Sequence, residues 1–122
     1  MSPWIPELFA AIDRMDAEAF AAYIEPTGTF TFGNWPASQG TTAIVAAVGG
    51  FFQSIASLSH TLTNVWEVPD WVLVRGEVTY TRKDGSTITL PFFDAFRMAP
   101  SGKVADYLIY MDVGPLYAPP AA

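Results

Sequence analysis

Leu90-Pro91-Phe92-Phe93-Asp94-Ala95-Phe96-Arg97 reads as one long apolar strand with a single carboxylate at its centre. Side chains of an extended chain alternate between faces, so Leu90, Phe92, Asp94 and Phe96 share one side. A carboxylate between two phenylalanines on its own face lines a ligand cavity or sits on an exposed sheet face. The flanking chain decides between these.

Working outward, residues 60–68, 71–82, 87–99 and 104–113 are rich in β-branched and aromatic side chains. Pro69-Asp70, Lys83-Asp84-Gly85-Ser86 and Pro100-Ser101-Gly102-Lys103 separate them as tight turns. Four runs joined by three turns give an antiparallel meander. The runs exceed the roughly 5 to 6 residues usual for strands, which implies a sheet bent around a cavity. Alternation puts Val72, Val74, Val78 and Tyr80 on the inner face with Gly76 between them, and Tyr107, Ile109 and Met111 opposite Asp106, Leu108, Tyr110 and Asp112. Outward positions mix charge with rings, which suits cover by a second copy.

Upstream, the texture is helical. Pro3 and Pro6 precede Glu7, and Leu8, Phe9, Ile12 and Met15 recur at helical spacing. Asp16 is the expected N-cap of a short helix over 17–24, with Phe20, Tyr23 and Ile24 on its apolar stripe and Pro26 barring continuation. Residues 29–33 read as a short strand and 34–39 as a loop, with Trp35 folding over something apolar as a lid. Thr41 or Thr42 is expected to cap a third helix with Ile44, Val45, Val48, Phe51, Phe52 and Ile55 on one face; Gly49-Gly50 predicts a kink or a close backbone approach. The Pro- and Ala-rich stretch 114–122 is expected to fray, with Leu116 and Tyr117 as its docking residues.

At 122 residues and 51% hydrophobic, the chain suits one domain over 1–122, with 113–122 as a tail. Nine Phe, five Tyr and four Trp are more rings than packing alone needs, and rings line small-molecule cavities. The net charge of −6 comes without a basic cluster, which makes nucleic acid and anionic membrane poor partners. The absence of cysteine excludes disulfides, thiolate catalysis and cysteine-based metal sites, and with His60 as the one histidine a histidine-rich metal site is not expected. Neither a basic region followed by an apolar run at the start nor an uncharged apolar stretch of membrane-spanning length is present, so the expectation is a soluble cytoplasmic protein.

The order helix, short helix, strand, helix and bent sheet, with Thr79 to Gly85, Pro91 to Arg97 and the Ile-Tyr-Met-Asp near the end, resembles the SnoaL-like branch of the nuclear transport factor 2-like superfamily. That resemblance implies a cone-shaped α+β, cystatin-like fold whose curved antiparallel sheet wraps N-terminal helices, leaves an apolar pocket at its wide end and pairs as a homodimer. Fold settles little about function. Pro91 to Arg97 is similar to the ketosteroid isomerase strand whose aspartic acid stays protonated and donates to an oxyanion, a case well described for that enzyme. The isomerase tyrosine and base fall near Leu8 and Phe32, and the Arg and two Asp of limonene-type epoxide hydrolases near Gly76, Val78 and Ile109, so neither set is complete.

The candidate proton-handling residues are therefore Asp94 and His60, and a direct contact between them would form an acid/base pair. Asp94 is expected to be raised in pKa by desolvation among Phe92, Phe96 and Tyr80, or else to pair with a buried donor such as His60. The candidate pocket wall is Tyr23, Phe32, Trp35, Phe52, Val78, Tyr80, Phe92, Phe96, Tyr107, Ile109 and Met111. Asp112 reads as structural, and Asp13, Asp16 and Glu18 as a solvated face and cap. The expected ligand is a small hydrophobic molecule, held without metal or organic cofactor. It undergoes isomerase or cyclase chemistry at Asp94, or is bound by a non-catalytic ligand-binding or interaction module.

Overall fold

A computed structural model describes residues 1–118, and the end of the expected tail, residues 119–122, lies outside the described residues. Helix α1 (Trp4–Asp13) starts on Pro3, and Pro6 falls in its first turn, where a missing N–H costs nothing. It buries Ile5, Leu8, Phe9 and Ile12, but stops short of Met15, which takes a left-handed φ of 57° and leaves the expected stripe. Asp16 caps α2 (Ala17–Ala21) by accepting from the Ala19 N–H at 3.0 Å.

The second helix is shorter than its apolar pattern predicts. Pro26 forces Glu25 toward extended backbone, so Ile24 opens β1 (Ile24–Phe32) and its side chain is buried there. Residues 34–39 are not all loop either, since β2 (Ser38–Gln39) pairs with Thr29 and Phe30. Gly40, at φ 86°, is the N-cap of α3 (Thr41–Gln53), and no threonine side chain caps it. The helix runs through Gly49 and Gly50, whose missing Cβ atoms face open space. The expected close approach is therefore absent.

Strands β3 (Ser57–Val68), β4 (Trp71–Thr81), β5 (Thr87–Met98) and β6 (Val104–Tyr110) form the meander. The sheet order is β2-β1-β6-β5-β4-β3, and it is curved and unclosed. The meander pairs antiparallel throughout as expected, and β1 adds to it a parallel pairing with β6, with Phe30 beside Tyr107 and Phe32 beside Ile109. The link from β1 to the meander passes through α3, so β1 reaches the sheet by a crossover rather than a hairpin. The fold is thus α+β with a mixed sheet.

Alternation in β5 holds as read, with Leu90, Phe92, Asp94 and Phe96 buried and Phe93 and Arg97 exposed. Gly76 makes room on β4. A Cβ there would lie 2.1 Å from the Thr61 carbonyl oxygen and 3.0 Å from the Phe92 ring, beside the bulge between Leu62 and Asn64. The strand pair would have to part. After β6, α4 (Gly114–Tyr117) docks instead of fraying: Leu116 is buried, and Arg82 donates to the Leu116 and Pro115 carbonyls at 2.9 and 3.0 Å.

Candidate active site

Between the helices and the inner sheet face lies a cavity of about 70 Å³, well below the roughly 300 Å³ at the low end of drug-sized sites. Rings make most of its wall. Phe30 and Tyr107 meet edge to face across the parallel β1–β6 pair, and Phe32 brings Trp35 flat against it at 4.9 Å. Trp35 stays 40% exposed at the mouth, with Phe51 and Tyr117 beside it.

Asp94 is the cavity's buried acid, 1% exposed. The Tyr107 hydroxyl donates to its Oδ2 at 2.6 Å, while Oδ1 is the sole buried side-chain polar atom without a partner among the described residues. Burial pushes the Asp94 carboxyl up to about 8, and the Tyr107 hydrogen bond, the smaller of the two causes, works against it. At neutral pH the group is therefore an acid. With Oδ2 engaged by Tyr107, its proton belongs on Oδ1, a donor with no acceptor among the described residues. The same burial, with the Asp94 charge, raises the Tyr107 and Tyr80 phenols well above the usual range, so both stay O–H donors. Tyr80 reaches only the Met111 sulfur at 3.9 Å, a weak acceptor.

His60 also lines the cavity, but the expected contact with Asp94 does not form. Its Nδ1 lies 2.5 Å from Asp13 Oδ1, and its backbone N–H donates to Asp13 Oδ2 at 3.0 Å. Asp13 is thus more than a solvated helix residue. It sits at the end of α1, where the helix faces β3, a pairing that one-dimensional spacing does not reveal.

Of the other expected wall residues, Phe32, Trp35, Phe52, Tyr80, Phe92, Tyr107, Ile109 and Met111 line the cavity; Tyr23, Val78 and Phe96 do not. Tyr23 lies past the shortened α2 and its hydroxyl reaches Glu7 at 3.5 Å. Val78 is buried in the core, and Phe96 packs between Trp4, Phe9 and Tyr107. Sequence reasoning missed Phe20, Phe30, Phe51 and Leu58. Alternation from Phe32 to Phe30 was the available signal for one of them. Asp112 accepts from the Gly114 N–H and shapes the turn into α4. Among the described residues there is no group of three or more metal-ligating side chains, and no helix long and apolar enough to cross a membrane.

Comparison with known proteins gives a consistent picture. A family model described as a SnoaL-like domain matches residues 5–107. A protein of unknown function from Burkholderia pseudomallei K96243, described as NTF2-like, superposes with TM-score 0.83 at 18% identity, over 92% of this chain and 90% of that one. A hypothetical protein with a ketosteroid isomerase-like fold from Catenulispora acidiphila DSM 44928, in complex with trimethylamine, gives 0.81 at 16% identity, over 90% and 86%. A putative SnoaL-like polyketide cyclase from Jannaschia sp. CCS1 gives 0.76 at 18%, over 98% of both chains. No curated protein matches the sequence.

Proposed function

This chain belongs to the SnoaL-like domain family, and on that basis we propose that it binds a small, mostly apolar molecule in the aromatic cavity and holds its hydrogen-bond acceptor at neutral Asp94. One observation carries the reading: Oδ1 of a carboxyl 1% exposed has no hydrogen-bond partner among the described residues. A buried donor left unmade costs about 1–3 kcal/mol, which a carbonyl or similar oxygen would recover. The donor can also protonate that oxygen as charge develops, which is the isomerase or cyclase chemistry open to Asp94. The tyrosine and base of ketosteroid isomerases fall near Leu8 and Phe32, both buried and apolar in this chain, which favours binding as the primary role.

Native mass spectrometry of the protein purified from cells tests this. A co-purified small molecule is expected on the wild type, reduced on Asp94→Asn, which keeps a donor, and lost on folded Asp94→Leu, which does not. Unchanged retention on Asp94→Leu would remove the carboxyl from binding. The pH dependence identifies the ligand's charge. An acceptor weakens as pH rises through about 8, whereas an ammonium such as the trimethylamine of the Catenulispora relative would tighten as the carboxylate forms.

The outer sheet face supports pairing with a second copy. Trp66 and Phe93 stack there at 6.1 Å and are 42% and 36% exposed, with Tyr110 at 61%. Sedimentation of the wild type is expected to give a dimer, and Phe93→Glu a monomer; a monomeric wild type would refute the pairing.

A further inference from the structure

We propose that a second binding site, separate from Asp94, lies outside the cavity mouth and takes a small methylated ammonium ion, held between the Trp35 and Tyr117 rings with Asp112 as its counter-charge. A second concavity of about 290 Å³ adjoins the inner one across Phe32, Trp35 and Met111, and Asp94 does not line it. Trp35 and Tyr117 stand in its wall, both exposed, with ring centroids 6.4 Å apart and planes tilted by 38°. The two rings form an open wedge in which one cation can lie within about 6 Å of both centroids. The wedge is fixed before any ligand arrives. Phe32 stacks on the indole at 4.9 Å, and Arg82 holds the carbonyls of Pro115 and Leu116 just ahead of Tyr117. Ser54 spends its hydroxyl proton on the Phe51 carbonyl at 2.6 Å, so it accepts from the Tyr117 hydroxyl at 2.8 Å and sets the direction of that ring. Little ordering cost is left for binding.

The polar groups set the sign of the ligand's charge. The backbone N–H groups of Gly33, Trp35 and Gly114 are engaged by the Ile109 carbonyl, the Phe32 carbonyl and Asp112 Oδ1, at 2.8, 3.0 and 2.9 Å. None of the three is free to meet an anion. Asp112 Oδ2, by contrast, has no partner among the described residues. Asp112 is also the sole charged side chain among the described residues that line this concavity, and the net charge of −6 adds attraction at longer range. Methylation follows from hydration. A primary ammonium is strongly hydrated, and one carboxylate oxygen beside two rings does not replace its water. A trimethylammonium group spreads its charge over methyl groups that pack directly on ring faces. A choline phospholipid carries a phosphate a short chain from its ammonium, and neither lysine nor arginine lines the concavity to receive it. The ion is therefore a free small molecule rather than a lipid headgroup.

Titration of the ¹⁵N-labelled protein with choline tests the site, followed at the Trp35 indole N–H and the Asp112 and Gly114 amides. Saturable shifts are expected at all three. The uncharged 3,3-dimethyl-1-butanol has the shape of choline, and it should bind the wild type about tenfold more weakly. Asp112→Asn keeps an acceptor for the Gly114 N–H and should weaken choline about threefold. Tyr117→Leu removes one ring of the wedge and should weaken it about fivefold or more. Equal binding of the two compounds by the wild type would overturn the assignment of a cation, and that comparison needs no variant to fold. No saturable shift up to about 0.1 M choline would overturn the site itself. Largest shifts at the Phe92 and Tyr107 amides would place the ion in the inner cavity and equally overturn it. Phosphatidylcholine vesicles are expected to leave the Trp35 signal sharp, and broadening would overturn the free ion in favour of a lipid headgroup. Retention of the co-purified molecule by Asp94→Leu is read separately, so failure of the Asp94 reading and failure of this site are distinguishable.

Discussion

Asp94 is neutral because of where β5 puts it, between Phe92 and Phe96 on the buried face, and among the described residues no lysine or arginine lines the cavity to hold it ionised. The native carboxyl keeps its proton to about pH 8, whereas the unfolded one releases it near its ordinary value of 3.8. Between those values the unfolded chain binds fewer protons, so stability falls as pH rises. The Asp94 contribution is full below about pH 4 and lost toward pH 8, on the order of 5 kcal/mol in total. Denaturant titrations over that range should show this decline in the wild type and a flatter profile in Asp94→Asn. Tyr107→Phe removes the one bond that favours the charged form, so the Asp94 midpoint should move further up from about 8 by NMR. A downward move would mean that Tyr107 is not its donor.

Among the elements, the sheet was readable because its signals are local: alternation and three Gly- or Pro-marked turns place β3 to β6 within a few residues. The inward set of β4 follows from Val72, Val74, Val78 and Tyr80 alone. What local pattern could not supply is pairing between distant segments, such as β1 beside β6 or Asp13 beside His60. The glycines show the same division. Gly49 and Gly50 look like kink residues, yet they sit in a continuous helix with open space at each Cβ. Gly49→Ala and Gly50→Ala should each stabilise by about 0.5–1 kcal/mol in denaturant unfolding. Gly76 is the opposite case, because its Cβ meets a backbone oxygen. Gly76→Ala should cost about 3 kcal/mol or more, and an innocuous Gly76→Ala would contradict the packing of β3 on β4.

At the scale of the molecule, the family resemblance foretold the curved sheet around helices, and the match over residues 5–107 agrees with it. The cavity was legible only in part. Phe32, Tyr80, Phe92 and Tyr107 follow from strand faces, but Phe20 and Phe51 come from helices whose rotation toward the sheet is a three-dimensional fact. Likewise, alternation cannot say which inward ring borders space and which is fully packed, and Phe96 is of the second kind. The small volume, with Trp35 stacked at the mouth, limits the ligand to a few heavy atoms unless that ring shifts. Trp35→Ala should widen the mouth and speed ligand exchange, measured by the dissociation rate of the co-purified molecule. An unchanged rate would place the entrance elsewhere.

The claim on which the rest depends is that a neutral, unpartnered carboxyl faces the cavity. Carbon-detected NMR titration of the Asp94 side-chain carboxyl, with assignment by Asp94→Asn, measures it directly. The expected result is a midpoint near 8 that rises when an acceptor ligand occupies the cavity. A midpoint near the ordinary aspartate value of 3.8, indifferent to ligand, would contradict it.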